Sequence, residues 1–223
     1  MIRSASNVSR CGTCLDSPTS GERPALHPEA MNKPDSALKD FIHVERGIVP
    51  RELCAQIVAA IEPREWRQHG WYGNVQDKFV THETMELEVQ ECTTEHFELL
   101  TPWVVKAGRA YSAKFSFPSE LTQPIARRFS AIRFNRYSPG QIMRQHHDHI
   151  HSLFDGVYKG IPVFSMVGNL NEDYDGADLF FWNGYNVPLG VGDICLFPSL
   201  FMYPHGVTEA TRGRRYSFVC WYW

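Results

Sequence analysis

Residues 143–155 read MRQHHDHIHSLFD, a stretch that sets His146, His147, His149 and His151, four of the chain's ten histidines, around Asp148. Imidazole nitrogens and a carboxylate oxygen are donors that transition metals take in proteins. If a strand runs through 141–147, alternation sends His146 and Asp148 to one face and His147 to the other. A His-x-Asp pair of this kind supplies two thirds of a 2-His-1-carboxylate triad, whose open positions suit non-heme Fe(II). The third ligand has a single downstream candidate, because beyond this cluster only His205 remains, within FMYPHGVT at 201–208.

Ten residues beyond His205 stands Arg215, followed two positions later by Ser217. On a strand over 214–222 these two share a face, and the planar guanidinium fork matches a carboxylate. A buried arginine without a counter-charge costs several kcal/mol, so a bound acid is its natural companion. Arg214 is the rival, since a one-residue bulge would exchange the two. Tyr137, before the turn Ser138-Pro139-Gly140, reads equally as a phenolic ligand contact or as core.

The elements that must position these groups are short. An alternating strand begins near 41–44, and Val49-Pro50 opens a helix carrying Leu53, Ile57, Val58 and Ile61 at helical spacing, with proline in its first turn. The spacing of Phe97, Leu100, Val104, Ala107 and Tyr111 predicts a second helix over 94–114, with Gly108 as a weak point inside it. Residues 71–89 alternate and pair as strands. Candidate strands then follow at 129–137, 141–147, 161–170, 178–182, 186–189, 193–197, 204–208 and 214–222, separated by glycine-containing turns. Eight short strands preceded by helices predict an α+β fold with an antiparallel sandwich or barrel. Residues 1–38, rich in Ser, Pro, Gly and charge, read as a disordered arm, leaving 39–223 as a single domain.

The ordered set Tyr137-Ser-Pro-Gly140, His146-x-Asp148, Leu170-Asn171, Gly176, Gly192-Asp193, Phe197-Pro198, His205 and Gly213-x-Arg215 resembles the iron- and 2-oxoglutarate-dependent oxygenases. More narrowly, it resembles their prolyl 4-hydroxylase-like branch, over about 128–223. The resemblance implies a double-stranded β-helix (jelly-roll) core and Fe(II) held by His146, Asp148 and His205. It implies 2-oxoglutarate and O2 as co-substrates, with ascorbate as a reductant. Arg215 would grip the far carboxylate of 2-oxoglutarate, with Tyr137 and Ser217 assisting. The implied reaction hydroxylates an unactivated C–H of a small molecule, an amino acid or a peptidyl residue, proline included, and releases succinate and CO2. Halogenating relatives lack the carboxylate ligand, so Asp148 favours hydroxylation. Animal collagen-type prolyl hydroxylases carry lysine where Arg215 stands, which argues against collagen-like substrates.

A rival reading from another class is a cupin- or lectin-like jelly roll that binds metal or carboxylate without turnover. Closed structural zinc sites normally use four ligands rich in cysteine, and no cysteine is close in sequence to the triad. A metallohydrolase lacks a placed general base. Composition excludes other partners: 22 basic against 25 acidic side chains give no pull toward nucleic acid or an anionic membrane. Arg127, Arg128, Arg133 and Arg136 fall on alternating faces and form no nucleic-acid patch. No apolar run reaches the eighteen or so residues of a membrane span. With no apolar leader, a cytoplasmic location is expected. Cys54 and Cys195 sit in apolar runs as core thiols, while Cys11-Gly-Thr-Cys14 has metal or redox spacing but no second pair.

Overall fold

The computed structural model describes residues 36–73, 78–81, 85–115, 128–148 and 162–223. Residues 1–35 of the expected arm, the Cys11–Cys14 pair, Arg127, His149 and His151 lie outside the described residues, whereas residues 36–38 of that arm are helical. The first elements are α1 (Ser36–Lys39), β1 (His43–Glu45) and α2 (Arg51–Ile61). They are followed by β2 (Arg67–Gln68), β3 (Gly70–Gly73), β4 (Lys78–Thr81), β5 (Glu88–Glu91) and α3 (Thr94–Lys114). The second half is built from β6 (Arg133–Tyr137), β7 (Met143–His146), β8 (Phe164–Asn169), β9 (Asp175–Gly176) and β10 (Leu179–Phe181). It closes with β11 (Tyr185–Val187), β12 (Ile194–Pro198), β13 (His205–Val207), β14 (Ala210–Arg212) and β15 (Arg215–Tyr222).

Both long helices form where apolar spacing predicts. Cys54, Ile57 and Ile61 are the buried stripe of α2, and Pro50 serves as its N-cap residue rather than in the first turn, with no side-chain cap. Thr93 caps α3, its Oγ1 accepting from the His96 amide at 3.3 Å. The mid-helix Gly108 has a packing reason: a Cβ there would stand 2.6 Å from the Tyr222 ring. That ring is pinned by its hydroxyl, which donates to Val104 O at 2.8 Å.

A seven-stranded sheet in the order β1-β12-β8-β15-β6-β5-β2 faces a four-stranded sheet in the order β11-β10-β13-β7. The described strand pairs within both sheets are antiparallel. One face of the large sheet packs on α2 and α3 through Ile132, Phe134, Met166, Leu196 and Phe218. Its other face meets the small sheet in a second core containing Val89, Tyr137, Val167, Phe197, Met143, Phe181 and Val207. β15 is buried along nearly its whole length because it is central, with one face in each core. This is the sandwich of a jelly roll with helices on its outer side. Cys54 and Cys195 are fully buried, as expected of core thiols.

Two motif positions prove to be scaffolding. Asp193 accepts from Arg46 Nη1 at 2.6 Å and from the Gly47 and Gly190 amides at 2.7 and 2.8 Å. Asn171 Oδ1 accepts from the Tyr216 amide, and its Nδ2 donates to Arg214 O, each at 2.7 Å, which fixes the entry into β15. Among the described residues, no helix is long and apolar enough to cross a membrane.

Candidate metal centre

β7 and β13 pair in the small sheet so that His146 stands directly opposite His205, with ring centroids 4.4 Å apart. Gly206 makes this approach possible, since a Cβ there would lie 2.7 Å from Met143 O. Asp148 follows two residues past the end of β7. His146 Nε2 lies 3.4 Å from Asp148 Oδ1, and His205 Nε2 lies 3.7 Å from Asp148 Oδ2. Ligand atoms of the three residues all fall within 4.8 Å of one another. Two donors at right angles, each about 2.1 Å from an ion, sit roughly 3 Å apart, so this cluster fits a six-coordinate cation with small adjustments.

The protonation states suit a metal. His146 Nδ1 lies 2.8 Å from Arg144 O and His205 Nδ1 lies 3.0 Å from Tyr203 O. A carbonyl only accepts, so both Nδ1 atoms carry the proton and both Nε2 lone pairs face the Asp148 carboxylate, where an ion could take them. Burial, reinforced by His146, pushes His205 down to about 4, which keeps it neutral at neutral pH although Asp148 pulls the other way. Burial alone would raise Asp148, but the two imidazoles and the Ser165 hydroxyl outweigh it and hold this carboxyl below the usual range. Ser165 Oγ donates to Asp148 Oδ2 at 2.5 Å and lies 2.7 Å from Ser199 Oγ. With the Ser165 proton committed to Asp148, Ser199 is the donor of the second bond. Neither serine carries a local sequence signal; only the register of β8 and β12 brings them here.

Along the large sheet, register pairs Tyr137 with Arg215, Asn135 with Ser217 and Arg133 with Val219. Arg215 is 1% exposed, donates Nε to Asn169 Oδ1 at 3.0 Å and Nη1 to Ala177 O at 2.9 Å, and lies 5.5 Å from the Tyr137 ring centre. Both acceptors are neutral, so the structure buries this cation without pairing it to a carboxylate among the described residues. Ser217 Oγ is buried and has no hydrogen-bond partner among them. A carboxylate ligand would satisfy both groups. Arg214, the rival, is exposed and pairs with Glu62 at 2.7 Å. His147 is exposed.

A narrow cavity of about 40 Å³ joins the cluster to Tyr137 and Leu179, and Leu179 also borders a hollow of about 310 Å³ that contains Arg215. A larger hollow, about 1050 Å³, lies elsewhere against α2 and contains none of the clustered residues. Convergent donors, not volume, locate the chemistry. Sequence reasoning missed two cavity residues, Arg133 and Trp221. In the sequence Arg133 counts only as one of four arginines that form no nucleic-acid patch; its parity with Tyr137 on β6 was the available signal. Of the others, Arg128 is exposed and Arg136 pairs with Glu88 at 2.9 Å.

Residues 132–223 match the family model of the 2OG-Fe(II) oxygenase superfamily. No curated protein sequence matches the chain. Among solved structures, a Pseudomonas putida prolyl-4-hydroxylase is similar with a TM-score of 0.56 at 20% identity, over 83% of this chain and 96% of that one. A viral collagen prolyl hydroxylase from Paramecium Bursaria Chlorella virus-1, as its 2OG complex, gives 0.56 at 14% identity over 81% and 94%. A Trichoplax adhaerens prolyl hydroxylase, in complex with a hypoxia inducible factor oxygen degradation domain peptide fragment, gives 0.61 at 12% identity over 82% and 83%. At these identities the structures show the shared fold. The matched residues carry the His-Asp-His cluster, and over this part the chain is similar to the 2OG-Fe(II) oxygenase superfamily.

Proposed function

We propose that this chain hydroxylates an unactivated C–H of a small molecule, an amino acid or a peptidyl residue, releasing succinate and CO2. His146, Asp148 and His205 would hold Fe(II), and Arg215, Ser217 and Tyr137 would hold 2-oxoglutarate. The observation that carries this reading is the pair of Nε2 atoms converging with one carboxylate in the same cluster.

Bound iron, with 2-oxoglutarate and O2, supplies the oxidising chemistry; the chain supplies position and environment. The carbonyls of Arg144 and Tyr203 fix the two imidazoles, and the Ser199–Ser165 relay fixes the carboxylate. Arg215 and the orphaned Ser217 hydroxyl offer a fork and a donor to the far carboxylate of the co-substrate. Val167, Val207 and Val219 line the cavity and exclude water. A three-ligand cluster leaves positions open on a six-coordinate ion, which favours an enzyme over a closed metal-binding jelly roll. Two of the similar structures are prolyl hydroxylases from Pseudomonas putida and Trichoplax adhaerens, which supports including peptidyl proline among the candidate substrates.

The test is to incubate the purified chain with Fe(II), 2-oxoglutarate, ascorbate and O2 and to quantify succinate. Metal-dependent succinate, abolished by chelator, supports the proposal; none above background, with or without candidate substrates, contradicts it.

A further inference from the structure

The cavity beside the cluster holds a cation, Arg133, that the co-substrate assignment leaves unused. Arg133 lines it together with the three clustered residues, Asn135 and Trp221. Its Nε donates to Asn135 Oδ1 at 3.2 Å, and its guanidinium carbon lies 5.5 Å from the Trp221 ring centre. Nε is thus occupied while the terminal nitrogens keep their donors. Among the described residues no carboxylate forms an ion pair with it, although burial is deep enough to lower its pKa. Trp221 adds a second unsatisfied donor, since its buried Nε1 has no hydrogen-bond partner among the described residues. Register sets Trp221 opposite Ser165, the residue that holds Asp148, so these donors sit at the metal end. Arg215 begins the same strand, six residues earlier.

The two ends therefore carry matching sets: a buried arginine with an orphaned hydroxyl at one, a cavity arginine with an orphaned indole N–H at the other. A 2-oxoglutarate molecule has two carboxylates, one destined for the metal and one for Arg215. The donors at the metal end are left for another acceptor. We propose that Arg133 and Trp221 form a carboxylate-binding point for the substrate, which is then an organic acid, such as a free amino acid, rather than a neutral peptidyl residue. This rests on the functional reading above and narrows its substrate class. Asn135 acts as a positioning residue that turns the guanidinium fork toward the cavity.

The free L-amino acids and simple mono- and dicarboxylic acids, each beside its primary amide, are assayed with capped, uncharged proline peptides for stimulated succinate release and for a product one oxygen heavier. At least one acid should stimulate turnover and its amide should not. In Arg133→Met, kcat/KM for that acid should fall roughly 10- to 150-fold, the range for one charge-assisted contact, with the loss in KM and the acid-over-amide preference erased. Arg133→Lys, which keeps the charge but not the fork, should retain part of the preference; this variant decides the matter if Arg133→Met does not fold. Stimulation only by amides or capped peptides, or by no acid, overturns the proposal. So does a loss that falls instead on 2-oxoglutarate affinity, measured by calorimetry on Zn(II)-loaded protein without substrate, because the carboxylate would then be the co-substrate's own. Absence of any wild-type succinate, even in the substrate-free reaction, is a different result and counts against the functional reading itself.

Discussion

His146 and His205 face each other across the β7–β13 pair, and each donates Nδ1–H to the carbonyl two residues before it in its own chain. One backbone device, used twice, aims both Nε2 atoms at the Asp148 carboxylate. The ligands are thereby oriented by main chain and sheet register, and Asp148 alone relies on side-chain partners.

Ser165→Ala removes the hydroxyl that holds Asp148. Metal affinity is expected to fall about 10- to 100-fold, the usual effect of losing a group that orients a ligand, with the fold retained. Calorimetric titration of the chelator-treated protein measures it; unchanged affinity would show that Asp148 is positioned by other means.

Arg215→Ala should weaken 2-oxoglutarate binding by about 1.5–3 kcal/mol, the value of a charged hydrogen bond. Ser217→Ala should cost less, about 0.5–1.5 kcal/mol. Arg214→Ala serves as the control, because its guanidinium is exposed and paired with Glu62. A larger effect at Arg214 than at Arg215 would reverse the assignment made from register.

His69 is 5% exposed, and burial above all, followed by the charges of Arg133 and His146, pushes it down to about 3. Free imidazole titrates near 6.5, so between those values the unfolded chain takes up a proton that the folded chain refuses. Stability contributed by this group is complete above about pH 6.5 and declines as pH falls, by roughly 2 kcal/mol at pH 5. Urea unfolding of the metal-free protein at pH 7.5 and pH 5 should show a smaller drop for His69→Gln than for wild type. Equal drops would mean that His69 does not contribute to the acid sensitivity.

How much of this was legible in the sequence depended on whether a pattern was local. α3 was readable because its apolar period is unbroken and Thr93 caps it. The face shared by Arg215 and Ser217 was readable because β15 runs without a bulge through both positions. β9 was not among the candidate strands, because its pairing with β14 is set by residues more than thirty positions away. Ser165 and Ser199 were invisible, since only register across β8 and β12 brings them to Asp148. Arg133 was hidden by neighbours: among Arg127, Arg128 and Arg136 it counts only as part of a nucleic-acid patch that does not form, and only its parity with Tyr137 marked it as inward-facing.

Gly108→Ala tests the outer core. Alanine favours a helix by about 1 kcal/mol over glycine, yet here its methyl would meet the Tyr222 ring. Overpacking costs about 1–3 kcal/mol, so net destabilisation is expected by thermal unfolding. A stabilised variant would show that the Tyr222 ring moves aside freely.

The proposed chemistry requires that His146, Asp148 and His205 share one ion. An anaerobic crystal structure with Fe(II) and 2-oxoglutarate, phased on iron anomalous scattering, tests it most directly. The expected result is one iron bound by both Nε2 atoms and an Asp148 oxygen, with the far carboxylate of 2-oxoglutarate on Arg215. Iron bound elsewhere, or a His205 ring turned out of the cluster, would contradict it.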